Sequence, residues 1–271
     1  MSIKHFCMAL SLGLTLFGMA SCNFSTETTK RIVRKEAGKD DFRDSEKWGK
    51  VVTKTLELDG FTHINLLGNA DIKFRQGETL KVEVLGNEKA IAENDISVAD
   101  GVLTIKHKET SPSRVPSIKL TITAPELESI DIAGAGDIDL KDEAEFAGDL
   151  AIHISGAGDV DIEKVKCKQL TIHISGAGDI NAQKIKCKKA DISISGAGDM
   201  KADVKANDIN VEISGAGDAD LDVQCQNLTV SAGGTGEIEL KGECSHLTKK
   251  SGGLASIDSR RLAIHEGVKI Q

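Results

Sequence analysis

The sequence predicts an all-β protein, a single-stranded right-handed parallel β-helix of about seven short coils entered through an antiparallel β region. Three observations carry this expectation. Apolar and polar residues alternate at period two from Val51 onward, the tetrapeptide Gly-Ala-Gly-Asp returns about every twenty residues, and only the stretch from Glu88 to Asn94 reads as a helical turn.

Composition narrows the function classes. The chain has 271 residues, 39% hydrophobic and 28% charged, the balance of a chain that folds. Aromatic residues make up 3%, with Trp48 the one tryptophan, too few for a platform that stacks sugars or bases. The formal charge of -8 argues against nucleic acid, because binding phosphates needs clustered cations that release counterions. No cofactor is implied.

The first apolar run, Phe6 to Ala20 behind Lys4, has the length of a signal-peptide core and is too short to span a bilayer. It ends in Met19-Ala20-Ser21-Cys22 and a polar run from Asn23 to Lys30, which resembles a bacterial lipobox. That resemblance implies a signal peptide over 1–21, lipid on Cys22, and export to the cell envelope as an outer-membrane lipoprotein held to the membrane by its acyl chains. The alternative is an ordinary signal peptide with Cys22 incidental. Residues 22–50 are polar, include Lys39-Asp40-Asp41-Phe42-Arg43-Asp44, and read as a tether.

Residues 51–125 form the N-terminal β region. Ile64 and Leu66, Ile72 and Phe74, then Leu80, Val82 and Val84 mark strands, and Asp100-Gly101 between two such runs is a hairpin turn.

Residues 126–271 hold the repeats. Gly-Ala-Gly-Asp starts at Gly134, Gly156, Gly176, Gly196 and Gly215, followed by Gly234-Thr235-Gly236-Glu237, with spacings of 22, 20, 20, 19 and 19. A degraded copy starts at Gly253, and Gly68-Asn69-Ala70-Asp71 looks like an upstream relative. Within one repeat, Leu170, Ile172 and Ile174 point inward, the chain turns at Gly176-Ala177-Gly178, then Ile180 and Ala182, and Ile185 and Cys187, point inward again. The glycines are expected at the corner for the φ values a sharp bend demands. Coils stacked at ~4.8 Å pair in parallel register, and the right hand follows from the handedness of parallel crossovers. The ends need caps, for which the region from Val51 to Pro125 and the tail from Arg260 to Gln271 are the candidates.

At these residues the chain resembles the auto-transporter adhesin, head GIN domain family of exported and lipid-anchored Bacteroidota proteins. The resemblance rests on Leu58-Asp59-Gly60-Phe61 leading to Leu67-Gly68-Asn69-Ala70-Asp71, on Asp100-Gly101-Val102-Leu103, on Ala124-Pro125-Glu126-Leu127, and on the serial Ser-Gly-Ala-Gly-Asp copies. It implies a β-helical fold and a surface location, and brings no catalytic residue.

Three rows of side chains are candidate sites. Asp137, Asp159, Asp179, Asp199, Asp218 and Glu237 repeat at one corner, as a weak calcium row or, the favoured reading, as acceptors of corner N–H groups. His153 and His173 stack, preceded by Asp131 and followed by Ser193 and Glu212, which lacks a third metal ligand. Cys167, Cys187, Cys225 and Cys244 form a ladder, with Ala206 in the intervening coil, and are expected as buried thiols rather than disulfides or a zinc site. The reading that results is a non-catalytic envelope lipoprotein, adhesin-like or a scaffold, that offers a β-helix face to a protein or glycan. The alternative is a polysaccharide lyase or hydrolase, disfavoured because coils of 19 to 22 residues leave little chain to wall a cleft.

Overall fold

The protein's structure, a computed structural model, describes residues 45–112 and 114–270. The expected signal peptide, Cys22 and residues 22–44 of the tether lie outside these residues. The chain is already packed at the end of the expected tether: α1 (Ser45–Trp48) buries Trp48 in the core, with the Lys47 ammonium 5.2 Å from the centre of its ring.

The N-terminal region runs β1 (Val51–Leu56), β2 (His63–Leu66), β3 (Ala70–Gln76), β4 (Lys81–Asn87), α2 (Glu88–Ala92), β5 (Asn94–Ala99), β6 (Val102–His107) and β7 (Ile118–Ala124). The repeats follow as β8 (Ser129–Ile132), β9 (Ile138–Glu145), β10 (Leu150–Ile154), β11 (Val160–Lys166), β12 (Gln169–Ile174), β13 (Ile180–Lys186), β14 (Lys189–Ile194), β15 (Met200–Lys205) and β16 (Asp208–Ile213). In the last turns the two strands of a coil fuse across a corner into β17 (Ala219–Ala232), β18 (Glu237–Ser251) and β19 (Ser256–Ile270).

These strands wind a parallel β-solenoid of about seven turns with an antiparallel region at its N-terminal end. One face stacks β8, β10, β12, β14 and β16, and the other stacks β9, β11, β13 and β15, all parallel and in register apart from one-residue shifts between β9 and β11 and between β13 and β15. Like therefore sits on like: Ile152 lies opposite Ile130 and Ile172, and Val160 opposite Ile138 and Ile180. The inward residues of both faces are almost wholly excluded from water, and they form one narrow aliphatic core. Burying such side chains stabilises by ~1.5–3 kcal/mol each, which is how thin coils hold together on aliphatic rows with few aromatics.

The order of rungs is not the order of the chain. β2 lies between β6 and β8, with Ile64 opposite both Leu103 and Ile130, and β3 lies between β7 and β9, with Ile72 opposite Leu120 and Ile138. The chain thus lays down its second rung first, leaves through β4, returns as β6 and β7 to form the terminal rung, and crosses over to begin the repeats. Where it leaves, the Gln76 side chain replaces the missing backbone. Its amide donates to Pro125 O at 2.9 Å and Glu145 O at 2.8 Å, and its carbonyl accepts from Glu145 N at 2.7 Å.

Antiparallel strands close this end. β4 pairs with β7, β1 with β4 and β5 with β6, so the terminal rung presents no bare edge. The β5–β6 turn places Asp100 at φ 50° and Gly101 at φ 76°, the two positive values that a type I′ hairpin requires. The tail from Arg260, expected as the opposite cap, is instead part of β19, the last rung of the stack.

Candidate functional site

Each glycine corner is built from backbone in contact with backbone. A Cβ at Gly176 would stand 2.0 Å from Gly156 O, and one at Gly178 2.1 Å from Gly158 O, and the same approach recurs at Gly134, Gly156, Gly196 and Gly215. These residues do not have positive φ; among the six corner-opening glycines only Gly234, at +80°, does. The reason for glycine is the closeness of the neighbouring coil, not the bend dihedral expected from sequence. Gly68 and Gly253 stack at the two ends of the same row, against Gly134 and Gly234.

The acidic row sits at this corner. Asp159 N donates to Asp137 Oδ1 at 3.1 Å, Asp179 N to Asp159 Oδ1 at 2.8 Å, Asp199 N to Asp179 Oδ1 at 2.7 Å, Asp218 N to Asp199 Oδ1 at 2.8 Å and Glu237 N to Asp218 Oδ1 at 2.7 Å. Each carboxylate therefore satisfies a backbone donor of the next coil. Among the described residues no three His, Cys, Asp or Glu side chains are gathered to hold a metal ion.

The outward rows of the β8–β16 face are polar ladders. His153 Nδ1 lies 3.0 Å from Asp131 Oδ1, Ser129 Oγ donates to Asp131 Oδ2 at 2.8 Å, and the His153 and His173 rings meet edge to face at 6.4 Å. Ser155, Ser175 and Ser195 donate to backbone carbonyls of the preceding coil, so their hydroxyls are engaged as structure.

The second corner, where one coil passes to the next, is where charge is left over. Register places Lys166, Lys186 and Lys205 in one row, between Glu145 below and Gln224 above. A second row is fixed by backbone bonds: Lys188 N donates to Lys168 O at 2.9 Å, Asn207 N to Lys188 O at 3.0 Å and Gln226 N to Asn207 O at 2.9 Å. Lys164 pairs with Glu143 at 2.7 Å and Lys166 with Glu145 at 2.9 Å, and the Glu145 bond raises the Lys166 pKa. Lys168, Lys184, Lys186, Lys188 and Lys205 make no ion pair among the described residues. Like charges stacked one rung apart repel, offset only in part by the charge of Glu243 near Lys205 and of Asp203 near Lys184.

Between the two rows runs the thiol ladder. All four cysteines are free, Cys244 buried and the others half-buried, and Cys225 stands in register with Cys244. The hydrogen bond between Cys167 and Cys187 raises the first thiol's pKa, with burial adding to it, and lowers the second's. Burial pushes Cys225 up to about 12, so it stays protonated and unreactive at neutral pH. Ala206 takes the cysteine's place in one coil, and its small side chain floors a groove of about 400 Å³ lined by Lys186, Lys205, Asn207, Gln224 and Gln226. Its far end is closed by His265, 3.4 Å from Glu243. Gln224 Nε2 donates to Glu243 Oε1 at 2.6 Å, which leaves two ammonium groups beside the carboxamides of Asn207 and Gln226 to meet a carboxylate or sulfate together with neighbouring hydroxyls. Sequence reasoning placed these lysines outward without reading them as a site; the signal was Lys-x-Lys-x-Lys at 164–168 repeated at 184–188.

The family model described as "Putative auto-transporter adhesin, head GIN domain" matches residues 60–204 and 200–271. The chain belongs to this family. Solved structures share its fold. A "putative adhesin" from Bacteroides fragilis NCTC 9343 aligns at 22% identity with a TM-score of 0.67, over 78% of this chain and 97% of its own. One from Parabacteroides merdae ATCC 43184 aligns at 24% with 0.61, over 78% and 96%. A "putative lipid binding protein" from Parabacteroides distasonis ATCC 8503 aligns at 17% with 0.54, over 82% and 97%. No curated protein matches the chain.

Proposed function

We propose that this GIN-domain protein is a non-catalytic, lipid-anchored module of the cell envelope that works as an adhesin, and that the lysine-rimmed groove is the face it offers to an acidic glycan. One observation carries the reading: Lys186 and Lys205 line the groove with Lys168 and Lys188 in the neighbouring row, and none of the four makes an ion pair among the described residues, in a chain whose formal charge is -8. An anionic polymer lying across the coils would relieve the repulsion among them, while Asn207 and Gln226 bond its hydroxyls. The groove's histidine, His265, faces Glu243 rather than a thiol or hydroxyl, which supports binding over turnover. Attachment through Cys22 would hold the solenoid outside the inner membrane.

Affinity for a polyuronate, measured by calorimetry against neutral dextran at low and at physiological salt, tests the site. Binding is expected for the acidic polymer alone, to weaken with salt, and to be lost in Lys186→Glu with Lys205→Glu while the melting midpoint holds. Equal binding of dextran would sink the assignment. Release of unsaturated uronate products would replace it with the lyase reading. The anchor has its own test, since Cys22→Ala should abolish labelling by a fatty-acid analogue.

A further inference from the structure

The two ends of the solenoid are finished differently. The N-terminal rung is covered by β1, β4 and β5, whereas β19, fifteen residues long, pairs with β18 and with nothing else among the described residues. Among the described residues one long edge of backbone N–H and C=O groups is therefore unpaired. Open edges of this length are avoided unless something pairs with them. Exposed apolar side chains gather at the same end: Leu254 is 85% exposed, Val268 53% and Ile270 79%, and among the described residues only Leu67 of the large exposed hydrophobics lies elsewhere.

We propose that this edge is an interface with a second copy of the chain, β19 pairing antiparallel with β19 about a two-fold axis at Ala263 to give a tail-to-tail dimer. The register follows from β19 itself. Leu262 and Ile264 are the inward side chains of its straight segment, in register with Gly242 and Cys244, and an antiparallel pair can continue the core only if inward residues face inward residues. An axis at Ala263 sets Leu262 against Ile264 of the partner subunit, apolar on apolar, and Arg260 against Glu266 of the partner subunit, cation on anion, although within each copy Arg260 already bonds Asp258 and Glu266 lies 3.3 Å from His246. An axis at Leu262 would instead oppose Asp258 to Glu266 of the partner subunit, and one at Ile264 would oppose Leu262 to it. Arg261 falls opposite His265 of the partner subunit, but within each copy Glu239 pairs with Arg261 and Glu243 with His265. Because the contact is two-fold it is isologous and closes at two copies rather than growing into a fibre.

The full chain in mild detergent, kept reduced, should sediment as a dimer in the micromolar range. Arg260→Glu is expected to weaken the dimer about tenfold or more by placing two acidic groups face to face, and Arg260→Glu combined with Glu266→Arg to restore it. Ala263→Cys sits on the axis and should yield a disulfide-linked dimer on mild oxidation, whereas Ser97→Cys, exposed on β5 at the sealed end, should not. A wild-type monomer at these concentrations, an Ala263→Cys chain that stays uncrosslinked, failure of the double charge swap to restore the dimer, or polymers larger than two would each overturn the proposal.

Discussion

The two corners of each coil solve the same geometric problem in opposite ways. At the glycine corner the chain turns with its backbone pressed on the coil below, so close that a Cβ at Gly176 would lie 2.0 Å from a carbonyl oxygen, and its one charged side chain is spent on a backbone N–H. At the lysine–thiol corner the corresponding place is filled in turn by Cys167, Cys187, Ala206, Cys225 and Cys244, and lysines beside it lack partners. The first corner repeats because contact forbids change. The second varies because side chains fill it, and that freedom is what leaves room for a groove and for unbalanced charge.

The largest effect should come from breaking the first corner. Gly178→Val forces a branched side chain against Gly158 O and Ile154, and neither a backbone carbonyl nor a core isoleucine can move without disturbing the stack. A loss of about 3 kcal/mol or more is expected, read as the urea midpoint of unfolding. Lys188→Val, one corner away, should leave that midpoint in place. Equal losses at the two positions would show that the corners are not different in kind.

Removing the carboxylate should matter less. Asp179→Ala deprives Asp199 N of its acceptor, at a cost of about 1 kcal/mol, while Asp179→Asn keeps an oxygen there and should cost little. If these bonds are the row's role, melting in EDTA and in millimolar calcium will coincide. A rise of many degrees with calcium but not with magnesium would convert the row into an ion site.

Much of the first corner was legible in the sequence, because five identical tetrapeptides at a fixed period reveal the stack and period-two alternation reveals which residues fill it. The reason for its glycines was not, since a sharp bend and a close approach both select glycine and only the neighbouring coil distinguishes them. The position of the rung from Val102 to Ala124 was hidden because that stretch carries no corner tetrapeptide to count, and because it is joined to the coil of β9 through the Gln76 side chain of the rung between them. The lysines were visible singly. That they are uncompensated depends on which row each occupies, and row membership follows from spacings that slip between 20 and 19 residues.

The second corner should respond with the opposite sign. Lys186→Gln with Lys205→Gln removes two stacked like charges, so stability is expected to rise by about 0.5 kcal/mol at low salt, with the gain vanishing in high salt. A loss of stability would mean that these lysines contribute to the fold, and the case for an external anion would weaken with it.

The smallest effects compare two aspartates on the faces between the corners. Asp203 stands in register with Asp222, and burial, then the Asp222 charge, raises its pKa above the ordinary 3.8. A carboxyl whose pKa is raised by folding destabilises the native state when ionised, and that penalty is present above its folded pKa and disappears as pH falls below 3.8. Asp191 is the reverse: burial pushes it up, but hydrogen bonds from Asn210 at 2.8 Å and Lys189 at 2.6 Å outweigh this and hold it below 3.8. Its contribution is stabilising above 3.8 and is lost as pH falls through the lower, folded value. Asp203→Asn should therefore raise the melting temperature slightly at neutral pH and Asp191→Asn lower it, with both differences shrinking toward zero in acid. Both sites are partly solvated, so shifts of a degree or two are the scale to resolve. Should the two substitutions move the midpoint in the same direction at neutral pH, pairing across the rungs does not set the charge balance of these faces, and the lysine corner loses the contrast that marks it out.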